Sequence, residues 1–247
     1  MTAIRSAHAA QAALVGALER VMRLHAIREA DPALAAALTR LSEWQSRRLR
    51  DTYADLAVDP RYAGAIAFFQ NDLYGGADFT RRDGDLARVV PAMVRLLPEA
   101  VIATVARAVE LNALAHELDR ALLAQLPSAT TRFTVAQYCG AYRAMGEFAL
   151  RRRQIALMAE VGNALDRYVR TPMIGVALTM MRRPARVAGM SALQNFLERG
   201  FTAFRRMKGA GEFLAAVEAR ETAINDAIIA GADEPFSDPW PESARAG

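Results

Sequence analysis

The sequence predicts an all-α fold: a bundle-like single domain of roughly eight or nine helices over residues 1–230, with a disordered, flexible C-terminal tail at 231–247. Three observations predict it. Apolar residues recur at three- and four-residue spacing through nearly every segment, the period of a helix with one buried face. An acidic or hydroxyl residue directly before proline, at Asp31-Pro32, Asp59-Pro60 and Thr171-Pro172, supplies a cap and a preset first helical residue. Alternating β-branched runs bounded by turns, which would mark strands, are absent.

Taken in order, residues 3–29 carry Ala10, Leu14, Ala17, Val21, Leu24 and Arg28 on one stripe. The second helix, from Ala33 to about Ala57, presents Leu34, Leu38, Leu41, Gln45, Leu49 and Thr52 to a core. Its opposite face, with Arg47, Arg48, Arg50, Asp51 and Asp55, reads as solvated, and Trp44 as a boundary anchor. The stretch 59–91 then opens on the Asp59-Pro60 start and stacks Tyr62, Ile66, Phe69 and Leu73 on one stripe. Gly75-Gly76 supplies a left-handed stop. Thr80 caps the next helix, with Asp83 at its third position as a capping-box-like partner. Asp72, Asp78, Arg81, Arg82, Asp83, Asp85 and Arg88 therefore crowd one corner, which is either a structural clasp or a polar site beside aromatic walls.

The run Phe68–Tyr74, with Gly75 and Asp78-Phe79, resembles the signature of an uncharacterised bacterial family named for a Phe-Phe-Leu-Glu-Glu-Leu-Tyr motif. Here Gln70, Asn71 and Asp72 fill the middle, and the acid before Leu73 is kept in kind. The resemblance extends through most of the chain. It implies a family label and no activity, ligand or catalytic residue.

Residues 85–97 read as a helix kinked at Pro91, and Pro98-Glu99 opens a longer one to Leu126. Thr134 and Gln137 form a capping box, after which the helical pattern runs to Tyr168 as the longest element. A short Met-rich helix starts at Pro172 and is broken by Pro184. Ala185 to Arg206 spaces Val187, Met190, Gln194, Leu197, Phe201 and Phe204 as a packing seam. The last helix, Glu212 to Ala230, presents Phe213, Val217, Ile224 and Ile228.

Composition bounds the function classes. At 247 residues and 53% hydrophobic content, a sizeable core is affordable. Net charge is +4, carried almost wholly by arginine, with Lys208 the single lysine. Acids interleave with the arginine clusters at 47–50, 151–153, 182–186 and 205–206, which argues against a nucleic-acid binder. Residues 171–186 come nearest to a recognition element, yet their methionines and valines read as core. One cysteine, Cys139, excludes an internal disulfide and fits a reducing, cytoplasmic location, where it reads as a small core residue. No uncharged apolar run reaches the length of a membrane span. His8, His25 and His116 are the only histidines and none follows a glutamate at metal-site spacing, so no metal site or named cofactor is indicated. Phosphate loops and nucleophile elbows are absent as well.

The remaining signal is polar residues on apolar faces. At 100° per residue, Asn112 and Asp119 fall near the centre of the face that Val101, Val105 and Ala108 define, with His116 at its edge. On the following long helix, the face of Val135, Tyr142, Gly146, Ala149 and Leu157 also holds Arg153 and Glu160. Buried charges need partners, which predicts an Asp119–Arg153 pair with Asn112, His116 and Glu160 in one network. The binding candidates are thus Asp72, Tyr74, Arg81, Asp83, Asn112, His116, Asp119, Arg153 and Glu160. The expected function is non-catalytic binding of a partner protein or a small ligand. The alternatives are an enzyme or cofactor carrier using the inward polar groups, and a nucleic-acid-associated protein.

Overall fold

The computed structural model describes residues 2–70, 83–88, 98–127 and 133–240, with side chains from residue 8 onward. They form eleven helical segments and no strand. In chain order these are α1 (Thr2–Ala30), α2 (Pro32–Thr52), α3 (Ala54–Ala57), α4 (Ala63–Phe68), α5 (83–88), α6 (Glu99–Leu123), α7 (Val135–Met145), α8 (Phe148–Val169), α9 (Pro172–Val187), α10 (Ser191–Arg206) and α11 (Gly211–Ile229). No described helix is long and apolar enough to cross a membrane.

The helix starts follow the local chemistry. The Asp31 carboxylate accepts from the Ala33 and Leu34 N–H groups at 3.0 Å, with Pro32 in the first turn. Thr134 and Gln137 make both bonds of the capping box, at 3.2 and 2.9 Å. Asp59 behaves differently: its carboxylate accepts from the Arg61 N–H at 2.8 Å and holds a turn, so α4 begins only at Ala63. Gly75-Gly76, Asp78, Thr80, Arg82 and Pro91 lie outside the described residues.

Three helical interfaces make most of the core. α1 lies along α6, with Leu14, Leu18 and Val21 against Ile102, Val109 and Ala113. The apolar face of α2 meets the end of α6, α7 and the end of α11 through Leu38, Leu41, Leu122, Tyr138 and Ile228. The C-terminal turn of α2 joins α4, α8, α10 and α11 around Leu49, Ile66, Phe204, Phe213 and Val217. The stripes expected on the first, second and last helices are these faces.

Four local expectations change. The helical run from 134 to 168 is two helices, because Gly146 takes a left-handed φ of +71° and closes α7 before Phe148 opens α8. Trp44 is wholly buried at 0% exposure, not at a boundary. It stacks on Tyr138 at 4.5 Å between ring centroids and meets Phe133 and Phe236, because α2 is covered on both flanks. Pro184 sits inside α9 and does not break it. The bond it forgoes is to the carbonyl of Met180, a residue that is exposed. Finally, the Met/Val content of α9 is surface and not core: Met173, Val176, Met180 and Val187 are 60–83% exposed, and among the described elements this helix packs mainly on α10 and the end of α8.

Within the segment read as a tail, Phe236 and Trp240 pack on the α2–α7–α11 core, and Arg143 holds Asp233 at 2.6 Å. Residues 241–247 lie outside the described part.

Candidate functional site

A partly open cavity of about 70 Å³ lies where α2, α6, α7, α8 and α11 converge. α2 contributes Gln45 and Arg48, α6 Ala115 and Asp119, α7 Tyr138 and Tyr142, and α8 Arg151, Gln154 and Ile155. α11 supplies Glu221, Ile224, Asn225 and Ile228, and Phe236 closes one side. The cavity has an apolar wall and a polar one.

Most of the polar wall is paired within the protein. Arg48 donates to both oxygens of Glu221, at 2.6 and 3.0 Å, and the Tyr53 hydroxyl donates to the same carboxylate at 2.7 Å. Burial opposes ionisation of Glu221, but Arg48, Tyr53 and the nearby Arg151 outweigh it and hold the carboxyl below its ordinary 4.5. The Tyr142 hydroxyl donates to Asn225 Oδ1 at 2.7 Å. Gln45 Nε2 donates to Asp119 Oδ1 at 2.9 Å. Burial raises the Asp119 carboxyl above its ordinary 3.8, against the opposing pull of Arg151 and Gln45.

Arg151 is the exception. The residue is only 7% exposed, and its guanidinium lies over the Tyr142 ring at 4.9 Å. Nη1 donates to Gln154 at 3.1 Å. Nε and Nη2 are buried and have no hydrogen-bond partner among the described residues. A buried donor left unpaired is costly, and a buried cation more so.

A second polar cluster joins α1, α5 and α6. His25 and Asp83, each 4% exposed, approach at 2.9 Å between Nε2 and Oδ2. Asn112 Nδ2 donates to the same Asp83 oxygen at 2.9 Å. The His116 ring stands edge-on to His25 at 5.3 Å. Among the described residues no group of three or more His, Cys, Asp and Glu side chains is placed to hold a metal ion.

The candidates picked from sequence therefore fall into separate places. Asp83, Asn112 and His116 come together, around a histidine, His25, that sequence reading left aside. Asp119 lines the cavity. Asp72, Tyr74 and Arg81 lie outside the described residues. The expected Asp119–Arg153 pair does not form. Arg153 binds Glu110 through Nε and Nη2, each at 3.2 Å, and Glu160 at 2.9 Å, all partly exposed, while Asp119 is held by Gln45. The single network predicted for Asn112, His116, Asp119, Arg153 and Glu160 is thus three clusters.

Gly146 separates α7 from α8, and on α8 Arg151 is buried along with Leu157 of the expected face, while Arg153 stands at that face's partly exposed edge. Counting afresh from Phe148 gives the stripe Phe148, Arg151, Ile155, Met158, Gly162, Leu165 and Val169, alternating threes and fours. That count puts Arg151 inside and leaves Arg153 at the edge; the αL-prone Gly146 was the available signal. Arg48 and Glu221 had no such signal. Arg48 stands on the face of α2 that reads as solvated, yet its side chain is only 12% exposed because α11 covers it. Cys139 is fully buried, and burial pushes its thiol up to about 11, as suits a core residue.

No curated protein and no solved structure matches the chain. A family model described as Domain of unknown function (DUF8198) matches residues 24–235, a span that includes every described residue of both polar clusters. With most of its length covered by that match, the chain belongs to the DUF8198 family.

Proposed function

We propose that this domain is a non-catalytic binding protein whose inter-helical cavity takes a small polar ligand. One observation carries the reading: Arg151 lines the cavity, is buried, and has two N–H donors that no described protein group meets. Such a group works against stability, and binding function is the usual reason for keeping one. The reading includes the cytoplasmic location and the bacterial kinship to the Phe-Phe-Leu-Glu-Glu-Leu-Tyr family that 68–74 suggests. Native mass spectrometry of the full-length protein as purified tests it. A non-covalent adduct that leaves on denaturation and is lost in Arg151→Met supports it. An adduct that survives Arg151→Met, or a clean monomer that no small molecule stabilises, overturns it.

The second reading, an enzyme, rests on Asp119. A carboxyl raised by burial beside an arginine suits proton transfer, and turnover lost in Asp119→Asn with binding retained is its distinguishing outcome. The arginine clusters favour nucleic acid less, since Arg48, Arg153 and Arg182 are engaged by Glu221, Glu110 and Glu198.

A further inference from the structure

The unpartnered atoms of Arg151 are not an arbitrary pair. Nε–H and one Nη2–H point in parallel from the same edge of the planar guanidinium, the edge that receives both oxygens of a carboxylate at once. The molecule uses that edge elsewhere in this way. Arg153 places Nε and Nη2 on the two oxygens of Glu110, and Arg20 places the same two atoms on Glu117. At Arg151 the other nitrogen, Nη1, is occupied by Gln154, and Tyr142 covers one face of the group. What is left for a ligand is the carboxylate-binding edge.

The surroundings limit what arrives there. Glu221 accepts from Arg48 and Tyr53, and Asp119 Oδ1 from Gln45, and neither carboxylate is within hydrogen-bond distance of that edge. Ile155, Ile224, Ile228 and Phe236 form the apolar wall, and about 70 Å³ leaves room for only a few heavy atoms. We propose that the cavity binds a short-chain carboxylic acid, its carboxylate held side-on by Nε and Nη2 of Arg151 and its alkyl part on the apolar wall. The assignment rests on the ligand-binding reading of the cavity and names the class of ligand.

The test uses the full-length protein with sodium propanoate as probe, at constant ionic strength, and follows the melting temperature. Propanamide, sodium chloride and sodium phosphate are the comparison probes. Propanoate is expected to raise the melting temperature in a saturable manner, and propanamide and chloride to leave it unchanged. Arg151→Met should abolish the rise, and Arg151→Lys, which keeps the charge and loses the fork, should weaken binding at least about tenfold. Arg153→Met, at an exposed site, should leave it intact. An equal rise in Arg151→Met overturns the proposal, and so does an equal rise with propanamide or chloride. A larger saturable rise with phosphate than with propanoate would replace the planar carboxylate by a tetrahedral oxyanion. Should the Arg151 variants fail to fold, the arginine Nε–H resonances of the wild type decide: one buried resonance must shift saturably with propanoate, and none shifting overturns the proposal. Failure of propanoate while the purified protein carries an adduct without a carboxyl group defeats the ligand class alone. Failure of every probe with no adduct defeats the cavity reading too.

Discussion

Two polar clusters lie inside the helical bundle, and they differ in how far the protein satisfies itself. Around Asp83, carboxylate, imidazole and amide meet at 2.9 Å from three different helices, so the cluster ties α1, α5 and α6 together. Around Arg151, helices of comparable packing leave two buried donors without a described protein partner beside a cavity. Polar groups are expensive to bury in either place. In the first, hydrogen bonds within the fold offset that cost; in the second the offset is incomplete, which is the pattern of a site that something else completes. The contrast teaches that burial alone does not separate structural from functional polar residues, and that the partners of each buried group have to be counted as well.

The largest expected effect belongs to the closed cluster. Asp83→Ala removes the acceptor for both His25 and Asn112 and should cost about 3–5 kcal/mol in denaturant unfolding. A loss below about 1 kcal/mol would break the contrast, because Asp83 would then hold nothing together. Next comes removal of residues 233–247, which strips Phe236 and Trp240 from the core and Phe236 from the cavity wall. A loss of about 2–3 kcal/mol is expected from the apolar area exposed, and an unchanged melting temperature would show that the segment contributes no packing.

Arg151→Met is expected to lie within about 1 kcal/mol of the wild type, on the stabilising side, because it replaces an incompletely paired buried cation by an apolar chain of similar length. Destabilisation as large as that of Asp83→Ala would make the two clusters alike. The pH dependence sharpens the difference within the cavity itself. Folding raises the Asp119 carboxyl, so its contribution favours the folded state below the ordinary 3.8 and is lost as pH rises through the folded value. Folding lowers the Glu221 carboxyl, so its contribution is present above 4.5 and is lost as pH falls through the folded value. Asp119→Asn should therefore raise stability at neutral relative to acid pH, and Glu221→Gln should flatten the acid loss; unfolding curves across pH 3–7, about the range spanning both ordinary values, check the two signs. The smallest effect is expected at Arg153, whose ion pairs are partly exposed: Arg153→Ala should cost less than about 1 kcal/mol, and a double change with Glu110 should show little coupling.

Much of the fold was legible because its signals are local. The Asp31-Pro32 start, the Thr134–Gln137 box and the stripes of α1, α2 and α11 each depend on neighbours within a turn or two of the same helix. A face several residues wide does not say which of its polar members is covered. On α8 Arg151 is buried and Arg153, two residues on, is partly exposed, a difference set by the helices packed around them. Trp44 and Arg48 escaped for another reason: each stands on a flank of α2 that is covered only by helices distant in sequence. The face of α9 shows the converse, since its methionines look like core in the sequence and are exposed in the structure, where the described elements packed on α9 are mainly α10 and the end of α8.

The sequence by itself determined that this chain is helical, where several helices begin, and which stripes of α1, α2 and α11 turn inward. Spacing and capping are set by bonds and rotations within a few residues, so they can be read without knowing the rest of the chain. Only the tertiary structure decided that Asp83 would meet His25 and Asn112, that Arg48 would be buried against Glu221, and that Arg151 would stand beside a cavity with its carboxylate-binding edge unmet by described groups. Those outcomes depend on which helices come to lie together across intervals of 29 to 173 residues, and no period along one helix carries that information.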